Sequence, residues 1–521
     1  MTLPPAAVSA AAPPAPPRRR RRRRLVIALV TIPLAVIVLL VGAAGIWFAT
    51  NAVRATPPPA GTLDFSAPLA VPPLAPSRVE HGVRVFELTP REGSSSFVTG
   101  GETPTLGYDG AYLGPTLVAQ RGETVRVDVT NGLSDPTTVH WHGMHLPAAM
   151  DGGPYSPIAP GATWHPEWTI DQPAATLWYH PHLHERTREQ VDAGLAGMFL
   201  VRDEEESALP LPREYGVDDF PVIVQDRSFH SDGSFAGGLG MQFDGVLGDT
   251  ILVNGTVAPY LEVGTERVRL RLLNGSSARM YDLAFADGRP FDLIATDGGL
   301  LEEPVRATDI PLSPGERAEI VVAMSPGERV VLRSQAPDPA LHAGSAAFDV
   351  MELRAAASLT ASPEVPTRLA NLPAADDADA ATERTFVMSG HSINDREMDL
   401  GRADVVATVG TSEVWTVRNG NPLPHSFHVH DTQFRILSVD GAPPPPRLAG
   451  FKDTIALEGE REYRLLVRFE DYADPTTPYM YHCHLLWHED QGMMGQFLVV
   501  EPGQRPDLKR PEGDTDDRHD H

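Results

Sequence analysis

Three segments of this chain share one pattern, and that pattern restricts the architecture more than any other feature. Glu123-Thr-Val-Arg-Val-Asp-Val-Thr-Asn131-Gly132 alternates in polarity and stops at Asn-Gly. Glu266-Arg-Val-Arg-Leu-Arg-Leu-Leu-Asn274-Gly275 repeats it, and Glu413-Val-Trp-Thr-Val-Arg-Asn419-Gly420 is a shorter third copy. A period of two marks a strand, and Asn-Gly marks a turn. The copies recur at roughly 145 residues, which reads as a triplicated domain. Helical periodicity is scarce, and 45 glycines and 50 prolines supply turns. Strand-like runs such as Ile320-Val-Val-Ala and Gln496-Phe-Leu-Val-Val recur between them. The expected body is all-β, built as three sandwiches.

The repeat also serves as a ruler. Nine residues past Asn131 stands His140-Trp141-His142, and nine past Asn419 stands His428-Val429-His430. The same step from Asn274 reaches Leu283-Ala284-Phe285. A second match pairs Tyr179-His180-Pro181-His182 with Tyr481-His482-Cys483-His484, each followed by a Gly-x-Phe-Leu-Val strand. The middle domain offers only Val330-Val331-Leu332 in the corresponding strand. Ligand chemistry therefore belongs to the outer domains, and the middle one is expected to be a spacer or frame.

On a strand, residues two apart share a face. Each His-x-His motif thus presents two imidazoles side by side. Eight of them are too many for one ion and suit about three, held where the first and third domains meet. Cys483, the single cysteine, stands between two of these histidines. Adjacent strand residues face opposite ways, so Cys483 binds one metal while His482 and His484 bind others. A thiolate with imidazoles and a thioether is the ligand set of a blue-copper electron-transfer site. His488 is one further ligand by proximity, His425 the other candidate, and Met493 the weak axial ligand, with Met494 its alternative.

The motifs His140-Trp-His142-Gly, Trp178-Tyr-His180-Pro-His182, His425-Ser-Phe-His428-Val-His430 and His482-Cys-His484-Leu-Leu-Trp-His488 with Met493 resemble the multicopper oxidase family over most of residues 80–503. The resemblance implies cupredoxin-like sandwiches and four copper ions, one blue and three in a cluster. His425, Cys483, His488 and Met493 match the blue site. His140 and His428 match the ligands of the single cluster copper. His142, His180, His182, His430, His482 and His484 match those of the coupled pair. Electrons from a reducing substrate pass through Cys483 to His482 and His484, and four of them reduce O2 to two waters. Asp151 and Glu489 match acids that the family places around the cluster, and are expected to deliver protons. Orientation of ligand imidazoles is the competing role.

The substrate is read from what is missing. Cuprous oxidases of the family carry a Met-rich insertion in the third domain, whereas residues 360–400 hold only Met388 and Met398. Asn421 and Leu423 stand where an acid and a methionine precede the first blue-site histidine. A laccase-like oxidase of phenols or aromatic amines is therefore expected. The alternatives are a metallo-oxidase of Cu(I), Mn(II) or Fe(II), and a non-catalytic copper-binding or cell-envelope protein of the same fold.

The N-terminus supplies an address. Residues 1–24 end in seven arginines, Arg18 to Arg24, directly before 25 uncharged residues from Leu25 to Ala49. Residues 25–50 are long enough to span a bilayer as a helix, and the arginines would stay on the cytoplasmic side. A cleaved export signal is the alternative. The net charge is −26, and the eight basic residues before position 55 leave −34 on the remainder. A body so acidic excludes nucleic acid as a partner. The expected layout is a proline-rich linker over 51–78, sandwiches over 79–205, 206–375 and 376–503, and a disordered acidic tail over 504–521.

Overall fold

The structure, a computed structural model, describes Gly42 and residues 57–236, 245–336, 347–378, 380–422 and 424–510. Apart from Gly42, the expected membrane span over 25–50 lies outside the described residues, as does the tail beyond 510. Among those described, no helix is long and apolar enough to cross a membrane. The body of the protein is the compact unit from Ala55 onward.

Alternation becomes strand wherever the repeat predicted it. Thr124–Thr130, Arg267–Asn274 and Thr411–Asn419 are all strands, and each lies within one sheet of a two-sheet sandwich. Thr124–Thr130 buries every second side chain strictly, so one face meets the core and the other meets water. In the first sandwich its sheet faces another built from Leu117–Gln120, Gly197–Arg202, Ala175–His180 and His140–His142. The third repeats this plan, with Val405–Thr408, Met494–Val500, Asp474–Cys483, His425–Val429 and Thr454–Leu457 in the second sheet. The middle sandwich has sheets of seven and six strands. Each sandwich has its own apolar core, centred on residues such as Trp141 and Phe199, Leu270 and Ile320, and Trp415 and Phe497.

The Asn-Gly turns differ in kind from a tight hairpin. Gly132, Gly275 and Gly420 are not left-handed. Instead the asparagine side chain closes the turn: Asn131, Asn274 and Asn419 each accept, through Oδ1, the N–H two residues on. Their Nδ2 groups donate to the carbonyls of Ile158, Leu312 and Leu457 across the sandwich. Glycine comes next because the backbone runs close to a neighbour: each glycine N–H donates to a carbonyl, of Pro90, Val224 or Met388. A Cβ there would stand only 2.9–3.0 Å from the nearest atom.

Two expectations at the ends of the body change. The proline-rich stretch is not wholly a free spacer. Ala67–Pro68 pairs in parallel with Pro259 and Tyr260, and Leu69 enters the middle core. Proline is tolerated on an edge strand, which explains why composition alone concealed the pairing. Of the tail, Asp507 and Lys509 hydrogen-bond to the carbonyls of Pro475 and Thr476, so the stretch to 510 is laid against the third sandwich.

Candidate metal centres

Strand pairing brings the histidines together. His140 lies across from His180 in the first sandwich, and His428 across from His482 in the third. In the middle sandwich the equivalent pair is Leu283 and Ser334, with no imidazole. The two outer halves then interlock. His140 stacks on His430 with ring centroids 3.8 Å apart, and His142 on His428 at 3.7 Å.

The result is a set of triads. His142, His180 and His484 converge, as do His182, His430 and His482, and His140 joins His142 and His428. His482 Nε2 lies 3.2 Å from both His182 Nε2 and His430 Nε2. His180 Nε2 lies 3.4 Å from His142 Nδ1. All eight histidines are at most 1% exposed. Cys483 faces the other way, toward His425 and His488, as alternation requires. Its Sγ is 3.6 Å from each Nδ1, and the two nitrogens are 3.2 Å apart. Those separations suit three atoms about 2.0–2.3 Å from a common centre. Met493 is tied to this triangle through its backbone: its carbonyl accepts from Cys483 N–H, and its N–H donates to the His488 carbonyl. Met494 is paired opposite His482 in the ladder.

The unused ring nitrogens are fixed by the protein. His140 Nδ1 donates to the Asp151 carbonyl at 3.0 Å, and His428 Nδ1 to the Asp453 carbonyl at 2.9 Å. His180 and His482 donate likewise to the carbonyls of Pro181 and Cys483. Nε2 of His140 and of His428 is left buried with no hydrogen-bond partner. Burial first, and neighbouring imidazoles next, hold His182, His425 and His484 down to about 3. The same causes drive His142, His180, His428 and His430 well below the ordinary value. All seven are neutral at pH 7, the form that binds a metal. Burial pushes the Cys483 thiol up to about 12, so it needs a cation to become a thiolate. One sulfur and converging neutral imidazoles, buried and preassembled, fit copper.

The two acids stand beside these ligands. Asp151 Oδ2 is 2.7 Å from His430 Nδ1, and its Oδ1 has no hydrogen-bond partner. Glu489 places Oε2 3.2 Å from His482 Nδ1 and Oε1 3.6 Å from His182 Nδ1, with neither oxygen in a well-formed hydrogen bond.

Two segments each match a family model for multicopper oxidases, residues 91–206 one and residues 364–503 another. The multicopper oxidase mco of Staphylococcus haemolyticus is 36% identical over 436 residues, covering 82% of this chain and 92% of the relative. The chain belongs to the multicopper oxidase family. The cell division protein FtsP of Escherichia coli is 38% identical over 468 residues, covering 85% of this chain and 95% of FtsP. A crystal structure of laccase from Pediococcus acidilactici superposes with a TM-score of 0.79 at 34% identity, covering 86% of this chain and 96% of that one. Membership of the multicopper oxidases implies copper binding and oxidoreductase chemistry.

Several residues at the site were not legible in the motifs. Asp453 Oδ1 and Thr454 Oγ1 lie 3.1 and 3.0 Å from His142 Nε2. The middle sandwich is more than a frame, since Arg317 grips Asp453, and Gly315 (φ +88°) runs against two ligand rings. A Cβ on Gly315 would lie 3.1 Å from the His484 ring and 3.2 Å from that of His142. The only signal was a charged residue opening the apolar run Arg317–Ala323. His391 is half-buried and lies beside His488, ring centroids 5.2 Å apart and planes tilted by 50°.

Proposed function

We propose that the protein is a laccase-like oxidase that couples one-electron oxidation of phenols or aromatic amines to reduction of O2 to water. The observation that supports this best is the complete, buried ligand set. His425, Cys483 and His488 converge, Met493 is hydrogen-bonded through its backbone to Cys483 and His488, and eight imidazoles converge in neighbouring groups. Copper held there would supply single-electron acceptance at the thiolate site and four-electron reduction of O2 at the cluster. The chain's own part is to join the two. His482 and His484 flank Cys483 in sequence, so each end of the electron path is one residue long. The eight histidines are at most 1% exposed, and that burial strengthens the electrostatic interactions among them. Asp151 Oδ1 and Glu489, lacking hydrogen-bond partners, are placed to hold protons for water formation.

The substrate class rests on the sulfur inventory. Met388 is fully buried in the third core and Met398 is half-buried, so residues 360–400 offer no methionine cluster for a soft cation. A metallo-oxidase of Mn(II) or Fe(II) is the second reading, since the body carries a large negative charge. The similarity to FtsP favours a third, a cell-envelope role without turnover. Arg18–Arg24 before the uncharged run favour a body held outside the cytoplasm by an N-terminal anchor. An O2 electrode run with phenols, Cu(I), Fe(II) and Mn(II) tests these readings together. Copper-loaded protein that consumes O2 with none of them would overturn the enzyme.

A further inference from the structure

Asp151 and Asp453 are counterparts in the two interlocked halves. Each gives its backbone carbonyl to one imidazole and its carboxylate to another: Asp151 to His140 and His430, Asp453 to His428 and His142. They differ in what stands behind them. Asp151 keeps one oxygen without a hydrogen-bond partner. Asp453 is gripped by Arg317 of the middle sandwich, Nη1 to Oδ1 at 2.7 Å and Nη2 to Oδ2 at 2.5 Å, with both side chains at most 1% exposed.

We propose that Arg317 is a positioning residue for the histidine cluster, acting through Asp453 on His142 and through Thr454 on His428. The guanidinium has no freedom left. Nε donates to the Thr176 carbonyl at 3.0 Å, Nη1 also to that of Gly315 at 3.0 Å, and Nη2 also to that of Asp297 at 3.1 Å. It is thus anchored in both the first and the middle sandwich. Its fork occupies both oxygens of Asp453 as acceptors, so the carboxylate can only accept from His142 as well. The single proton of neutral His142 is thereby held on Nε2. Nδ1, 3.4 Å from His180 Nε2, presents its lone pair into the triad. Thr454 Oγ1 donates to Asp453 Oδ1 at 2.8 Å and sits 3.1 Å from His428 Nδ1, so the same anchor reaches a second ligand. Lysine would keep the charge but not the fork. Asp453 is therefore a fixed anchor, whereas its twin Asp151 has an oxygen to spare.

This role rests on the reading that the eight histidines hold copper. The test is copper retention by the full chain during dialysis against a graded chelator. It is read as copper per protein, with the visible thiolate band and the paramagnetic signal of the single cluster copper followed alongside. In Asp453→Asn and Arg317→Met, cluster copper is expected to be held about 10–100-fold more weakly, with the thiolate band as in the native protein. Arg317→Lys should recover part of the loss. Folded Asp453→Asn and Arg317→Met proteins with native retention and a native signal would overturn the proposal. If Arg317→Met does not fold, Asp453→Asn, which preserves size and shape, decides alone. Native protein that binds copper only at Cys483 would instead sink the cluster reading itself.

Discussion

Cys483→Ser separates the two metal centres. The substitution removes the only sulfur of a triangle whose other corners, His425 Nδ1 and His488 Nδ1, stay 3.2 Å apart. The strand itself has no reason to move, because the N–H groups of residues 483 and 484 donate to the carbonyls of Met493 and Ser426. Position 483 is 0% exposed among apolar neighbours, so a hydroxyl without a good partner costs about 1–3 kcal/mol. For sandwiches of this size that lowers the melting point of the metal-free protein by about 2–12 °C. Two imidazoles without the thiolate no longer make a blue site, whereas no cluster ligand is touched. Copper content should fall from about four to about three, the visible thiolate band should vanish, and O2 uptake with phenols should drop to background. Metal analysis, absorption and an O2 electrode read all three on one sample. A folded variant that keeps the band refutes the assignment of Cys483. One that loses all copper refutes the independence of the cluster.

Neighbouring residues give further outcomes. Glu489→Gln keeps shape but not the acid, so O2 turnover should slow by about 10²–10⁴-fold with copper content unchanged. Equal turnover in steady-state O2 uptake would reduce Glu489 to an orienting role. Gly152 has φ +79°, and a Cβ would lie 1.7 Å from the Val139 carbonyl, directly beside His140 and Asp151. Gly152→Ala should cost about 4 kcal/mol or more, and a melting point within a few degrees of native would show that the loop yields. Burial would raise the Asp219 carboxyl, but Arg271, Arg269 and Arg202 hold it at about 2, below an unfolded value of about 3.9. Its contribution, about 2–3 kcal/mol, is therefore complete above pH ~4 and lost as pH falls through about 2. Asp219→Asn should melt earlier at pH 7 and lose less on acidification. Parallel melting curves from pH 5 to 2 would contradict this.

Motif spacing located what lies close in sequence, and geometry supplied what does not. His140, His142, His428 and His430 could be matched across domains because strand periodicity and the Asn-Gly ends set a common register. Cys483 and its flanking histidines were legible from alternation alone. Asp453 and Thr454 lie more than 20 residues beyond His430, and Arg317 comes from a domain that contributes none of the converging histidines. Only the packing of three sandwiches brings them to His142, and no periodicity encodes that. The Asn-Gly turns show a subtler limit. The strand ends were legible, but the dipeptide is used for a buried side-chain clamp and a close backbone approach, not for positive φ. Ala67–Pro68 escaped because two residues carry no period.

Several buried imidazole nitrogens have no hydrogen-bond partner in the protein, and that has a measurable consequence. Nε2 of His140, Nε2 of His428 and both nitrogens of His484 are buried without hydrogen-bond partners. Each such atom costs about 1–3 kcal/mol. They are nevertheless held in place, since His140 and His428 are fixed through Nδ1 by backbone carbonyls. Copper would meet a preformed site in the folded chain and scattered histidines in the unfolded one. At free copper about 1,000-fold above the dissociation constant, this linkage is worth about 4 kcal/mol per site. The melting point should then rise by about 8–16 °C for each site filled. Calorimetry at increasing copper should show a rise in Cys483→Ser too, reduced by one site's share, because the cluster imidazoles are intact. A midpoint that copper does not move, in native protein shown by metal analysis to be loaded, would mean that the imidazoles are not held in a binding geometry before the metal arrives.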